Sequence, residues 1–124
     1  MVKTFEEACN ATGHDPEKLP DVSMLPEKHQ VSLVAYFKLI IIIEALNEGW
    51  QPDWSNWDEY KYYAWFEVRA TKTKTAGVGF SASHYGISGT NAVVGSRLCL
   101  KSYDLAIYAG KKFKQLYQQY LLIG

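Results

Sequence analysis

Cysteine is scarce in this chain: Cys9 and Cys99 are the only two in 124 residues. Two thiols are too few for a disulfide framework. Both fall in stretches expected to be a helix and a strand, where they serve as small buried hydrophobes, and a reducing compartment suits them. Long apolar runs are missing too. The richest, Val31 to Leu46, is broken by Lys38 and Glu44, so it is expected to be too short and too interrupted to span a bilayer. No charged-then-apolar leader with a small-residue cleavage site opens the chain. A cytoplasmic protein without a membrane partner is expected.

Signatures of chemistry are equally thin. His14, His29 and His84 are far apart and lack companions at metal-ligand spacing, so no metal is expected. Gly77-Val-Gly79-Phe-Ser81 lacks the six-residue spacing of a dinucleotide loop, and it is not a Gly-x-Ser-x-Gly nucleophile turn. Its glycines instead suit a bulge or a close strand approach. Ser81, Ser83 and His84 lie together without a third orienting group. Glu44 and Glu48 share a helix face. A carboxylate buried there could work as an acid or base, although pairing with a Lys or Arg at the core edge is the plainer role. No cofactor and no catalysis are expected.

Net charge is zero, but the two halves differ. Residues 1–59 hold four Lys or Arg against eleven Asp or Glu, and residues 60–124 hold nine against two. Such asymmetry suggests an anionic partner for the basic half, or attraction between the halves within or between subunits.

Aromatic residues are present in unusual density. All four tryptophans (Trp50, Trp54, Trp57 and Trp65) lie between Gly49 and Phe66, with Tyr60, Tyr62 and Tyr63 among them and polar residues between. Tyr and Trp suit half-buried surfaces, having an apolar body and a hydrogen-bonding tip.

The order of elements reads as follows. Thr4-Phe-Glu-Glu7 is a capping box and opens a short helix that stops near Gly13. Three prolines between His14 and Pro26 make a loop. A long helix should run from Glu27 to Glu48 and end at Gly49, with Val31, Val34, Ala35, Leu39, Ile42, Ile43 and Leu46 at helical spacing. Alternation predicts strands over Lys61–Thr71, Gly77–Ser83 and Val94–Lys101, with a polar turn at Lys72–Thr75 and a Gly-rich loop from Tyr85 to Asn91. Ser102 should cap a last helix that continues to Leu122. The expected fold is a single α+β domain over residues 1–124: a three-stranded antiparallel sheet, two long helices on one face, and a short N-terminal helix.

Several stretches carry a resemblance: ALNEGWQPDW (Ala45–Trp54), KYYAWF (Lys61–Phe66), GSRLCLKS (Gly95–Ser102) and the run Ala106 to Phe113. From Ala45 onward the chain resembles uncharacterised small proteins of tailed phages and mobile elements of gut Bacteroidales, crAss-like phages included. That resemblance implies a phage or mobile-element context inside a bacterial host cell, and it transfers no site residues.

On the expected fold, Tyr63, Trp65, Arg69, Arg97 and Lys101 share the sheet face opposite the helices, and Lys72 and Lys74 extend it. Rings beside cations on an open sheet stack bases and hold phosphates. The expected function is therefore non-catalytic binding of single-stranded nucleic acid. The alternative is an oligomeric structural or regulatory protein that uses the same aromatics between subunits. Trp50, Trp54 and Trp57 either line a pocket, dock on a partner, or pin their loop to the core.

Overall fold

The computed structural model describes residues 1–56, 58–70, 78–88 and 96–122, and of 65–70, 78–88 and 96 the backbone alone. The first helix, α1 (Phe5–Thr12), begins as its capping sequence requires. The Thr4 hydroxyl accepts the Glu7 amide at 3.1 Å, and the Glu7 carboxylate reaches back to the Lys3 amide at 3.4 Å. Gly13 closes the helix at φ +81°, a backbone conformation that glycine adopts at little cost. The second helix, α2 (Glu27–Asn47), follows Pro26 and ends on two left-handed residues, Glu48 and Gly49.

α2 is apolar nearly all round. Its best 18-residue window has a mean hydropathy of 1.6, with 33% of that window buried. Length and composition alone would let it cross a membrane. In this fold its C-terminal half forms the centre of the core. Leu39, Ile42 and Leu46 cluster with Phe5, Ala8 and Cys9 of α1, with Leu98 and Leu100, and with Ala106, Phe113 and Tyr117 beyond them.

Two strands, β1 (Lys61–Ala70) and β2 (Val78–Ser88), pair antiparallel. Lys61 lies opposite Ser88 and Trp65 opposite His84, and the register shifts between Trp65 and Glu67. Tyr62 and Ala64 turn one side of β1 toward the core. A single 3-10 turn, Ser96–Leu98, leads into α3 (Tyr103–Lys112), which is capped by the Ser102 hydroxyl at 3.2 Å from the Leu105 amide. α3 packs on the ribbon, whereas α4 (Lys114–Leu121) packs on α2. There the Tyr36 and Tyr120 rings stack 4.9 Å apart, and the Ser32 hydroxyl donates to the Tyr120 carbonyl at 2.6 Å.

The expected three-stranded sheet with two long helices on one face is not formed; the described structure is mostly helical. Three differences carry the correction. Of the stretch expected as a third strand, Val94 and Gly95 lie outside the described residues, Ser96–Leu98 coils into the 3-10 turn, and the described remainder pairs with β1 at one place only, Leu100 with Tyr62. Its other edge is taken by a side chain. The buried Asn47 amide donates to the Cys99 carbonyl at 2.9 Å and accepts the Lys101 amide at 3.0 Å, so α2 stands where a further strand would lie. The expected last helix breaks at Phe113, whose φ of −111° lies outside helical geometry. One straight helix could not serve two partners: α3 follows the ribbon, and α4 turns to meet Tyr36 and Ser32 of α2. The second strand also runs on through Tyr85 to Ser88, which were expected in a loop. The expected polar turn after β1 lies outside the described residues.

Burying an amide side chain unpaired costs about 1–3 kcal/mol, and Asn47 escapes that cost by making both backbone bonds. Truncation by Asn47→Ala would remove two bonds and strand their partners, so unfolding stability should fall by about 2–3 kcal/mol. A urea-denaturation midpoint that leaves stability within about 0.5 kcal/mol of wild type would show that the side chain does not hold the segment.

Candidate functional site

The candidate surface is built around the single pairing of Tyr62 with Leu100. The Tyr62 amide donates to the Leu100 carbonyl at 3.1 Å, and the Leu100 amide donates back at 2.6 Å. In an antiparallel pair, residues before Tyr62 and after Leu100 lie at the same end. Tyr60, Lys61, Lys101 and Ser102 therefore share one end, and Arg97 lies at the other.

Lys61 is the unexpected member. It is 0% exposed, although it opens a strand beside an aromatic loop. Its ammonium donates to the carbonyls of Asn56 and Glu59, each at 3.2 Å, and meets the Glu59 carboxylate at 3.1 Å. The Trp54 ring lies over it at 5.3 Å, within cation–π range. An ammonium has three protons to place and no acceptor capacity, so three oxygens and an aromatic face meet its needs without water.

The loop closes on itself as well as on Lys61. The Glu59 carboxylate accepts the Asp53 amide at 2.8 Å, and Asp53 accepts both the amide and the hydroxyl of Ser55. These bonds favour the ionised forms. The Asp53 carboxyl is held below its usual range, chiefly by the Ser55 hydroxyl and then by the Ser55 amide. That of Glu59 is held down chiefly by the Asp53 amide, with Lys61 assisting against partial desolvation. Next to Lys61, burial pushes the Cys99 thiol up to about 11, and the Lys61 charge opposes only part of the rise. A thiol so protonated is a poor nucleophile at neutral pH.

The site residues expected from sequence fall into three groups. Arg97 and Lys101 are exposed and flank the pairing. Tyr63 is half-buried, and the side of β1 it shares with Lys61 is covered at the Lys61 end by the Trp54 loop. Lys72, Lys74 and Trp57 lie outside the described residues, as do the side chains of Trp65, Arg69, Ser81, Ser83 and His84. Trp54 is 36% exposed and holds its loop to Lys61. Trp50 is half-buried and lines a groove with Ala11, Thr12 and Ala45. Glu44, the candidate acid or base, is exposed and sits 3.8 Å from His14 at the surface.

Sequence reasoning passed over Tyr60, Lys61 and Asn47. Among the described residues Tyr60 is the most exposed aromatic, at 65%, with its ring centroid 6.3 Å from that of Tyr62. Its signal was its place, one residue ahead of the alternating run. Asn47 had a weak signal, as an amide at the end of an apolar helix. Lys61 had none, because its burial depends on where the loop folds. No family model, curated protein or solved structure matches the chain, so its chemistry has to be read from its own residues.

Two outcomes follow from the loop. Replacing Lys61 by Met should leave the Asn56 and Glu59 carbonyls without their donor, lower stability by about 2 kcal/mol or more, and raise acrylamide quenching of tryptophan emission; unchanged quenching and stability would contradict the buried ammonium. The second outcome concerns pH. Groups with depressed folded pKa values stabilise above the unfolded carboxylate pKa, about 4, and lose that contribution as pH falls through their folded values. Near-UV dichroism of the tryptophans should therefore change on acidification below about pH 4, ahead of global unfolding, and Glu59→Gln should shrink that change. A titration identical in the variant would count against the Glu59 contact.

Proposed function

We propose that this chain is a non-catalytic binding protein for single-stranded nucleic acid, with its contact strip along the rim of the Tyr62–Leu100 pairing rather than across a sheet face. The observation that carries this is the open Tyr60 ring, 65% exposed, at the end of the pairing that also presents the exposed Lys101. Arg97 is exposed at the other end. A base stacked on such a ring is worth roughly 1–3 kcal/mol, and each cation placed on a phosphate adds a salt-dependent term. Tyr103, 43% exposed just beyond Lys101, offers a second ring. A phage or mobile-element setting, suggested by the sequence resemblance, would supply such a ligand.

The alternative, a structural or regulatory protein that docks on other proteins, has its own observation. Met24 is exposed just before α2, Val31 and Leu33 are exposed in its N-terminal half, and Leu121 is exposed where α4 meets that half. Beside them lies a groove of about 380 Å³ between α2 and Leu116. Apolar patches of this kind mark contact surfaces. On this alternative the contacts are aliphatic, not the tryptophans expected from sequence.

Titration with oligo-dT or oligo-U in low salt should quench intrinsic fluorescence. The quenching should weaken as salt rises, and Tyr60→Ala with Lys101→Ala should reduce affinity at least tenfold. Absence of any low-salt binding by fluorescence and by anisotropy of a labelled oligonucleotide would reject the nucleic-acid function. If Leu33→Glu removed a salt-resistant self-association instead, the docking alternative would stand.

A further inference from the structure

Among the described residues, little of the charge asymmetry of the sequence is neutralised by ion pairs. Those ion pairs join His14 with Glu44 and Lys61 with Glu59. Neither joins the acids of α1 and α2 to the lysines of α3 and α4. Lys111, Lys112 and Lys114 are all exposed. Lys111 and Lys112 occupy the last turn of α3, where cations suit the helix dipole; Asp104 lines the same depression as they do, but among the described residues no ion pair joins it to them.

On the acidic side lies a groove of about 580 Å³ between α1 and the end of α2. Its floor is apolar, made of Ala11, Ala45 and Leu46, and Glu7 and Glu48 stand at its rim. A second depression, of about 460 Å³, shares Ala11, Ala45 and Glu48 with it, adds Glu44, and ends at the half-buried Trp50. The two make one furrow, apolar below and anionic above.

The basic side has the reverse character. Ile107 and Tyr108 expose apolar surface one turn before Lys111 and Lys112 on α3, with Asp104 at the far end of the same shallow depression. The two sides are neighbours, because the Tyr108 hydroxyl donates to the carbonyl of Val2, at the mouth of the furrow, at 2.7 Å. An anionic furrow and a cationic ridge lying side by side cannot dock on each other within one chain. In two chains related by a two-fold axis between them, each ridge meets the other chain's furrow, and both contacts form at once.

We propose that a second copy of this chain occupies the furrow, with its α3 ridge packed on Ala11, Ala45 and Leu46 and its Lys111 and Lys112 set against Glu44 and Glu48, in a closed two-fold dimer. The occupant is assigned by charge complementarity: the acid-rimmed groove and the lysines that match it are both supplied by one sequence. This dimer uses none of Tyr60, Arg97 and Lys101, so it stands or falls apart from nucleic-acid binding.

Light scattering in low salt should give twice the 14.1 kDa chain mass, falling toward a single chain as salt rises. Two charge-reversed variants, Glu44→Lys with Glu48→Lys and Lys111→Glu with Lys112→Glu, should each be monomeric in low salt. Mixed in equal amounts they should recover the dimer mass, which also shows that both are folded. A wild-type monomer at low salt would overturn the proposal. So would either variant remaining dimeric, or a mixture that stays monomeric. Loss of oligonucleotide binding in the lysine variant with its mass unchanged would assign the ridge to nucleic acid and overturn the dimer as well.

Discussion

The rest of the structure depends on the clamping of one short segment, Cys99–Lys101, from both edges. Tyr62 takes one edge with its backbone, and Asn47 takes the other with its side-chain amide. The amide offers a donor and an acceptor at the spacing a neighbouring strand would provide. It thereby ties the end of α2 to the start of β1 through a segment that belongs to neither. Leu100, 0% exposed at the centre of this clamp, joins the helical core to the ribbon.

The surface chemistry follows from the clamp. Because Tyr62 pairs with Leu100, Lys61 lies beside the Cys99–Lys101 segment and under the preceding loop. Burying an ammonium is tolerable only when oxygens surround it, and the loop supplies them from Asn56 and Glu59. The tryptophan-rich stretch is thus spent partly on structure, with Trp54 closing over a charge. What remains open is a rim of Tyr60, Lys101 and Arg97, together with an acidic furrow and a lysine ridge on another face.

Local signals in the sequence were reliable where the chemistry is local. The Thr4 cap, the Gly13 stop, the Ser102 cap and the span of α2 each rest on residues within a few positions of one another, and the structure contains them all. The first strand and the antiparallel turn-back into β2 were also legible from alternation. Failure came where two distant segments compete for one edge. Val94–Lys101 alternates like a strand, and Leu98 and Leu100 are buried as that pattern requires. Cys99 is buried too. Nothing local to that stretch reveals that Asn47, 52 residues earlier, will take its free edge. The break at Phe113 was hidden for the same reason, since it is dictated by where α2 lies. In the candidate site, Arg97 and Lys101 are exposed, although the three-stranded sheet on whose face they were expected is not formed. The cover over the Lys61 end of β1 did not follow from composition, because a lysine next to aromatics reads as solvated until its acceptors are known.

Amide hydrogen exchange at Leu100 and Lys101 tests the clamp most directly. Both amides are bonded inside the molecule, one to a backbone and one to a side chain, so both should exchange slowly, with Leu100 protected to a degree similar to the core amides of α2. Fast exchange at both positions, with α2 still protected, would mean that the segment is not held between Tyr62 and Asn47, and the placement of Lys61 and of the rim of Tyr60, Lys101 and Arg97 would fall with it.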